Sequence, residues 1–325
     1  MLAKVGVKMA VRFGWRSGRD SNVGLFELPA SGFFMVTVHD PLCRDLLSGG
    51  SLTMELCDGT LPLYTFAQIN GSFIQRAWRL HGGGSLIADK LAGSIRSMGG
   101  EIVTKARAGR LIEKDGIITQ VEYGDGLRIG ARHVISNLHP AATLELLPES
   151  PSIRKIYRKR MTGLPNTYGM FTTHLKLKEN TVPFLDRKIF IHKNRDLWNC
   201  GQASDKVSSA LVSYQVPEKG GAYTRNIDIL TPMQWEQVSR WEDTRIGRRG
   251  DDYEEFKARK AEQCIALAGE RIPELKDNVE KIFTSSPLTY RDYTAAPQGS
   301  AYGVRKDCDH VTATMLSPQP PVANL

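Results

Sequence analysis

The chain is poor in cysteine. Cys43, Cys57, Cys200, Cys264 and Cys308 are odd in number, widely scattered, and form no Cys-x-x-Cys pair. That spacing argues against a disulfide framework or a cysteine zinc site and fits a reducing cytoplasm. Long apolar runs are missing too: no segment approaches the roughly 18 uninterrupted apolar residues of a membrane-spanning helix. Lys4, Lys8 and Arg12 break up any apolar core that Met1 to Trp15 would need as a signal peptide. Asn70-Gly71-Ser72 is therefore a background match to a glycosylation acceptor. The sequence has no Gly-x-Gly-x-x-Gly after a strand, no phosphate loop, no His-Glu-x-x-His and no Gly-x-Ser-x-Gly. His81-Gly82-Gly83-Gly84 imitates the oxyanion loop of some lipases, but with no nucleophile elbow it reads as a close-packing glycine turn.

What remains is ordinary for a globular protein. The 325 residues are 41% hydrophobic and 24% charged, with 30 glycines and 16 prolines. Collagen-like, coiled-coil and wholly disordered classes are excluded. The length suits roughly two domains or one two-lobed α/β body. The net charge of +8 permits contact with an anionic surface. The basic run Arg154, Lys155, Arg158, Lys159 and Arg160 reads first as a solvated helix face. As a contact site it favours a membrane surface over nucleic acid. Localisation is expected to be cytoplasmic, at most peripheral to a membrane.

Residues 1 to 60 carry Arg12, Arg16 and Arg19 among glycines and give no clear pattern before the apolar run Phe33 to Val38. A short helix is expected over Leu61–Asn70 after Pro62, then a strand over Ser72–Leu80. Leu86, Ile87, Leu91, Ile95 and Met98 recur at helical spacing, with Ser85 as N-cap and Gly99-Gly100 as the stop. Extended runs follow at Glu101–Arg107, Gly109–Glu113, Ile117–Tyr123 and Leu127–Ala131. Asp115-Gly116 and Asp125-Gly126 punctuate the last three as hairpins. A strand at His133–Asn137 leads into a helix that starts at Pro140 and runs through Leu147.

Beyond Pro151 the pattern is α+β. A basic helix spans Ile153–Met161, and strands are read at Tyr168–Leu177, Lys188–His192, Ser208–Val216, Asn226–Leu230 and Val279–Ser285. A charged helix covers about Asp252 to Ala268, capped by Asp251 or Asp252, with Glu255 and Arg259 at i,i+4. Asp307-Cys308-Asp309-His310 contains metal-ligand types, but in an extended run they would alternate faces, so a polar loop is the better reading.

Four segments in order carry a family resemblance. Gly83-Gly84-Ser85-Leu86, Gly99-Gly100-Glu101-Ile102 and Val134-Ile135-Ser136-Asn137 resemble the FAD-dependent amine-oxidase-like superfamily. The nearest match is its branch of phytoene desaturases, carotenoid isomerases and retinol saturases. Pro287–Tyr293 with Gly299-Ser300-Ala301-Tyr302-Gly303 resembles the same branch, and Pro320–Leu325 is similar to the lead-in to its last FAD-binding strand.

The resemblance implies an α/β fold: an incomplete FAD-binding dinucleotide-fold lobe with a β-meander, interleaved with an α+β substrate lobe. Residues 1–80 and 141–284 would belong to the substrate lobe, and 81–140 with 285–325 to the FAD-binding lobe. By matching position, Ala108 would meet the adenine through its backbone, and Ser136 and Asn137 would lie near the cofactor. Gly299, Ser300, Tyr302 and Gly303 would approach the flavin end, and Gly83 and Gly84 the flavin or substrate. Each also has a plain reading as a meander residue, a strand end or a turn. The family's opening βαβ glycine loop and closing glycine-rich helix start have no counterpart here, so the resemblance makes the chain an internal piece of a longer enzyme.

The implied reaction is hydride exchange between flavin and a carbon–carbon bond of an apolar isoprenoid, carotenoid or retinoid-like substrate. No general acid or base is legible; Tyr293 and Tyr302 are polar-tipped aromatics at a plausible place. A non-catalytic remnant that binds an apolar ligand or partner, and a flavin-dependent polyene isomerase, stay open. Amine oxidation is disfavoured by Tyr290-Arg291-Asp292-Tyr293 and Gly299–Gly303.

Overall fold

The structure, a computed structural model, describes residues 23–325 except 76, 77, 82, 218 and 219. The positions of Lys4, Lys8, Arg12, Arg16, Arg19 and Gly82, which entered the sequence reading, lie outside the described residues.

Four helices come first: α1 (Val23–Phe26), α2 (Ala30–Thr37), α3 (Pro41–Ser48) and α4 (Leu63–Gln75). Leu25, Phe34, Leu63 and Phe66 meet Leu197 and Trp198 in a small core of their own. The strand expected at Ser72–Leu80 does not form. Ser72–Gln75 instead complete α4, because Phe66, Ile69 and Phe73 continue its helical spacing, and Trp78–Leu80 are irregular.

Helix α5 (Ser85–Ser97) begins at Ser85 rather than being capped by it; Gly84 holds the cap position and no side chain caps the helix. Its end is as expected: Gly99 takes φ +82° and the Gly100 N–H returns to the Ile95 carbonyl at 2.9 Å. No residue of α5 is buried, and Leu86, Ile87, Leu91 and Ile95 are all exposed. The following run, Glu101–Arg107, is not a strand. Lys105 turns to φ +58° there, which breaks the extended run, and the Arg107 carbonyl accepts the Gly124 N–H at 3.0 Å.

The meander is as expected: β1 (Ala108–Lys114), β2 (Ile117–Tyr123) and β3 (Leu127–Gly130) pair antiparallel in that order. Asp115 and Gly116 both take positive φ, 52° and 82°, as a two-residue hairpin turn requires. His133–Asn137 pairs with no strand. Its Val134 N–H donates to the Asn324 carbonyl at 2.9 Å. Helices α6 (Pro140–Glu145) and α7 (Lys155–Thr162) close the unit. Leu111, Ile118, Leu144, Leu147, Met161 and Val322 form its core.

The larger unit is a five-stranded antiparallel sheet. Its strands are β4 (Gly169–Leu177), β5 (Lys188–His192), β6 (Ser209–Tyr214), β7 (Asn226–Met233) and β8 (Val279–Ser285). They lie in the order β5-β6-β7-β4-β8. Helix α8 (Asp251–Gly269) covers one face with Tyr253, Phe256, Cys264 and Leu267 against Phe171, Leu175, Ile227 and Ile229. Asp251, Asp252 and Glu254 sit in its first turn, where the helix dipole favours acids, but the cap is Gly250. Among the described residues Glu255 and Arg259 form no ion pair; Lys257 pairs with Glu254 at 2.9 Å instead.

Helix α9 (Pro287–Thr294) starts at a capping box of Ser286 and Thr289, and a last turn, α10 (Val311–Thr314), precedes the end. Residues 82–140 and the segment after 285 do not assemble into one layered sheet. Single backbone hydrogen bonds and one side chain join them instead. Asn324 accepts the Ile118 N–H at 2.7 Å and donates to the carbonyls of Ile118 and Arg132 at 2.8 and 3.0 Å. One amide thus ties β2 and the segment after β3 to residue 324. The chain has a mixed α/β fold, but the parallel sheet of a dinucleotide-binding lobe is not formed by its described residues.

Candidate functional site

An open cleft of about 1200 Å³ lies between the meander and the end of α9. Ala108 on β1 and Ser136 and Asn137 on the 133–137 segment line it together, so three of the sequence-predicted positions converge. Ser136 Oγ is 2.7 Å from Thr143 Oγ1, which fixes its loop to α6. Arg107, Arg245 and Arg291 also line the cleft, as does Tyr293, which is 74% exposed. Its far wall is held by charge. Asp292 takes the Arg291 guanidinium on one oxygen, at 2.9 Å, and the buried Arg249 on the other. Arg249 also donates from Nη1 to the Thr244 carbonyl and hydroxyl, at 3.0 and 2.8 Å, and to the Trp241 carbonyl at 3.4 Å.

Gly299, Ser300, Tyr302 and Gly303 are not on this cleft. Their segment runs antiparallel beside residues 165–169, with Ala301 N–H on the Tyr168 carbonyl and Thr167 N–H on the Gly303 carbonyl, both 2.9 Å. A Cβ at Gly299 would stand 1.9 Å from the Pro287 carbonyl oxygen, so this glycine serves close backbone packing, at φ +62°. Tyr302 donates its hydroxyl to the Leu52 carbonyl at 2.6 Å, and burial first, then Tyr290 and Cys200, push that phenol up. Ser300 is buried and, among the described residues, its hydroxyl has no partner.

Gly83 and Gly84 face a second cleft of about 670 Å³, on the side of the large sheet that α8 leaves open. Register places His174 of β4 beside Asp228 of β7 and Phe283 of β8. His174 Nδ1 is 2.7 Å from Asp228 and Nε2 is 3.2 Å from Ser285 Oγ. Two residues earlier on the same strand, Thr172 Oγ1 meets the Tyr290 hydroxyl at 2.8 Å. A carboxylate on one imidazole nitrogen fixes the ring and lets the other hold or pass a proton. Sequence reasoning missed this chain. Its members come from three strands, and the only signal was that each occupies an outward position of an alternating strand.

The short fragment Asp307, Cys308 and Asp309 does bring its ligand atoms within 4.8 Å, because it is a turn and not a strand; His310 stands outside the group. The Cys308 thiol is turned to the Gly59 carbonyl at 3.4 Å. Of the basic run on α7, Arg158 is withdrawn from the surface: it donates to the Leu144 carbonyl at 2.7 Å and to that of Leu147. Arg154, Lys155, Lys159 and Arg160 remain exposed beside Ile156.

No protein-family model matches the chain. It is 34% identical over 100 residues to all-trans-retinol 13,14-reductase of Macaca fascicularis, covering 30% of this chain and 16% of that protein. Against the Rattus norvegicus protein of that name it is 25% identical over 296 residues, 82% of this chain and 48% of the relative. The chain is similar in sequence to proteins named all-trans-retinol 13,14-reductase. It spans about half the length, at most, of the curated relatives it matches.

Solved structures share the fold. An oxidoreductase from Methanosarcina mazei superposes with TM-score 0.58 at 17% identity, covering 91% of this chain and 61% of that one. Cyclohexylamine oxidase from Brevibacterium oxydans gives 0.51 at 12%, covering 92% and 60%. Among the described residues no helix is long and apolar enough to cross a membrane.

The first cleft fits part of a dinucleotide. Three guanidinium groups suit a diphosphate, and the small side chain of Ala108 leaves its backbone open to a ring. The glycine loop that would complete such a cradle is not among these residues.

Proposed function

We propose that the chain carries the substrate lobe and part of the nucleotide-binding lobe of an FAD-dependent oxidoreductase. Its substrate would be an isoprenoid, carotenoid or retinoid-like molecule, saturated or desaturated at a carbon–carbon bond. Residues 81–140 and 285–325 would form the cofactor side; 1–80 and 141–284 would form the substrate side. The observation that carries this reading is the convergence of Ala108, Ser136 and Asn137 on one cleft with three arginines. The relatives named for retinol 13,14-reduction supply the substrate class.

Bound FAD would supply the hydride exchange. The chain's own residues do the rest. Arg107 and Arg291, with Arg245 from the substrate side of the same cleft, would hold the diphosphate, and the Ala108 backbone the adenine. Reduction of a double bond also needs a proton on the second carbon, and we assign its storage to His174, oriented by Asp228 and linked to Ser285. The exposed cations of α7 would rest on an anionic bilayer from which an apolar substrate is drawn.

A second reading has its own observation. No residue of helix α5 is buried and its apolar residues face solvent, as they would in a non-catalytic remnant that binds an apolar ligand or partner. Gel filtration after incubation with FAD separates the two. Visible flavin absorption that travels with the protein supports the oxidoreductase, and a colourless protein supports the remnant.

A further inference from the structure

Beside the glycine cleft lies a third, of about 810 Å³, and the two share Trp78, Arg79, Lys188 and Val216. Arg79 and Lys188 therefore stand at the junction of two connected hollows. Their charges are poorly met. The Arg79 guanidinium donates to the Tyr214 carbonyl at 3.2 Å, and its nearest carboxylate, Asp186, is 4.0 Å away on a side chain 80% exposed. Lys188 forms no ion pair among the described residues; its ammonium lies 5.5 Å from the centre of the Phe73 ring. Partial enclosure first, and Arg79 second, hold Lys188 below the ordinary lysine range.

Around this cationic pair the walls are aromatic. Phe73, Trp78, Phe184 and Phe190 line the third cleft, and Trp78 is 87% exposed. Two cations whose one nearby acid, Asp186, is held at 4.0 Å from Arg79 on an exposed side chain leave positive charge for an anion to neutralise. Aromatic walls leading away from such a pair suit a ligand with an apolar body.

We propose that this twin cleft binds an amphipathic anion, a long-chain carboxylate whose head lies between Arg79 and Lys188 and whose body lies along Trp78, Phe184 and Phe190. The site needs no cofactor, so it stands apart from the flavin assignment. A hydrocarbon without a charged head would not use the two cations.

The test is a titration of the purified chain with cis-parinaric acid, with oleate, oleyl alcohol and methyl oleate as competitors. Saturable one-to-one binding is expected, with oleate displacing the probe at a concentration at least tenfold lower than either neutral analogue. The double substitution Arg79→Gln with Lys188→Gln should weaken binding at least tenfold. Lys188→Met alone, which leaves the Arg79–Tyr214 bond in place, should weaken it at least threefold at unchanged circular dichroism.

Flotation with phosphatidylglycerol vesicles free of fatty acid separates two sources of the head group. Flotation that the double substitution abolishes assigns the anion to a lipid surface; binding of monomeric acid without flotation assigns it to a free acid. Equal competition by acid and alcohol, unchanged affinity in the double variant, or binding of neither acid nor vesicle overturns the proposal.

Discussion

Arg305 grips Glu55 with two parallel hydrogen bonds, 2.8 Å from Nε and 2.9 Å from Nη2, across 250 positions of sequence. The glutamate side chain is only 4% exposed, and it also accepts the Tyr168 N–H at 3.3 Å. One carboxylate thus joins the helical opening of the chain, the start of β4 and the strand-like segment after α9. The same junction keeps residues 299–305 beside the large sheet, which is why their family-matched positions serve packing and not the first cleft.

Removing the arginine leaves that carboxylate buried and unmatched. Arg305→Ala should lower unfolding stability by about 3 kcal/mol, the low end for a broken buried pair, because the guanidinium is itself a third exposed. Urea denaturation measures it. Replacing both partners by methionine should recover most of the loss, since the penalty comes from the orphaned charge.

Gly299 and Gly303 test packing against conformation. Both have positive φ, 62° and 70°, but a Cβ meets Pro287 at the first and nothing within 4 Å at the second. Gly303→Ala should cost about 1 kcal/mol from the left-handed backbone alone. Gly299→Ala should cost at least about twice that, from the added overlap with backbone. Thermal unfolding of the two variants side by side checks the order.

The thiols should separate by burial. Desolvation, with Glu55 second, pushes Cys57 up to about 11, and desolvation alone raises Cys264, inside the α8 core, to about 11. At pH 8 each would be thiolate in roughly one molecule per thousand. Iodoacetamide at that pH should label the exposed Cys43 first and reach Cys264 only on unfolding, as read by peptide mass spectrometry.

His139 makes α6 sensitive to acid. Its Nδ1 accepts the Ala141 N–H at 3.2 Å and its Nε2 donates to Asn166 at 2.9 Å, so the ring is neutral with the proton on Nε2. Burial holds it below the ordinary histidine value, opposed more weakly by Asn166, and burial does the same to His192. The folded state resists protons that the unfolded chain accepts. Stability is therefore full above the unfolded histidine value, near pH 6.5, and falls as the pH drops below it. The melting temperature should be lower at pH 5.5 than at 7.5, and His139→Asn, which keeps a capping acceptor, should flatten that slope.

The arginines of the first cleft can be tested one at a time. Arg107→Glu should weaken FAD retention at least tenfold by replacing attraction to a diphosphate with repulsion. Arg160→Glu, on an α7 position outside the cleft lining, should leave retention unchanged and reduce flotation with anionic vesicles.

Local chemistry in the sequence determined the elements whose partners lie nearby. The Asp115-Gly116 turn fixes the meander, Pro140 starts a helix, and the alternation of β7 produces a strand, because each rests on backbone preferences and short-range pairing. Ser136, Asn137 and Ala108 were legible as site candidates through resemblance.

Only the tertiary structure decided what depends on distant partners. Glu101–Arg107 and His133–Asn137 have the composition of strands yet form none, because a strand exists only when another backbone answers its hydrogen bonds. Likewise nothing in the spacing of His174, Asp228 and Ser285, or of Arg79 and Lys188, announces that they meet. Strand register across a five-stranded sheet brought the first three together, and the approach of Trp78 and Arg79 to its open face formed the second pair.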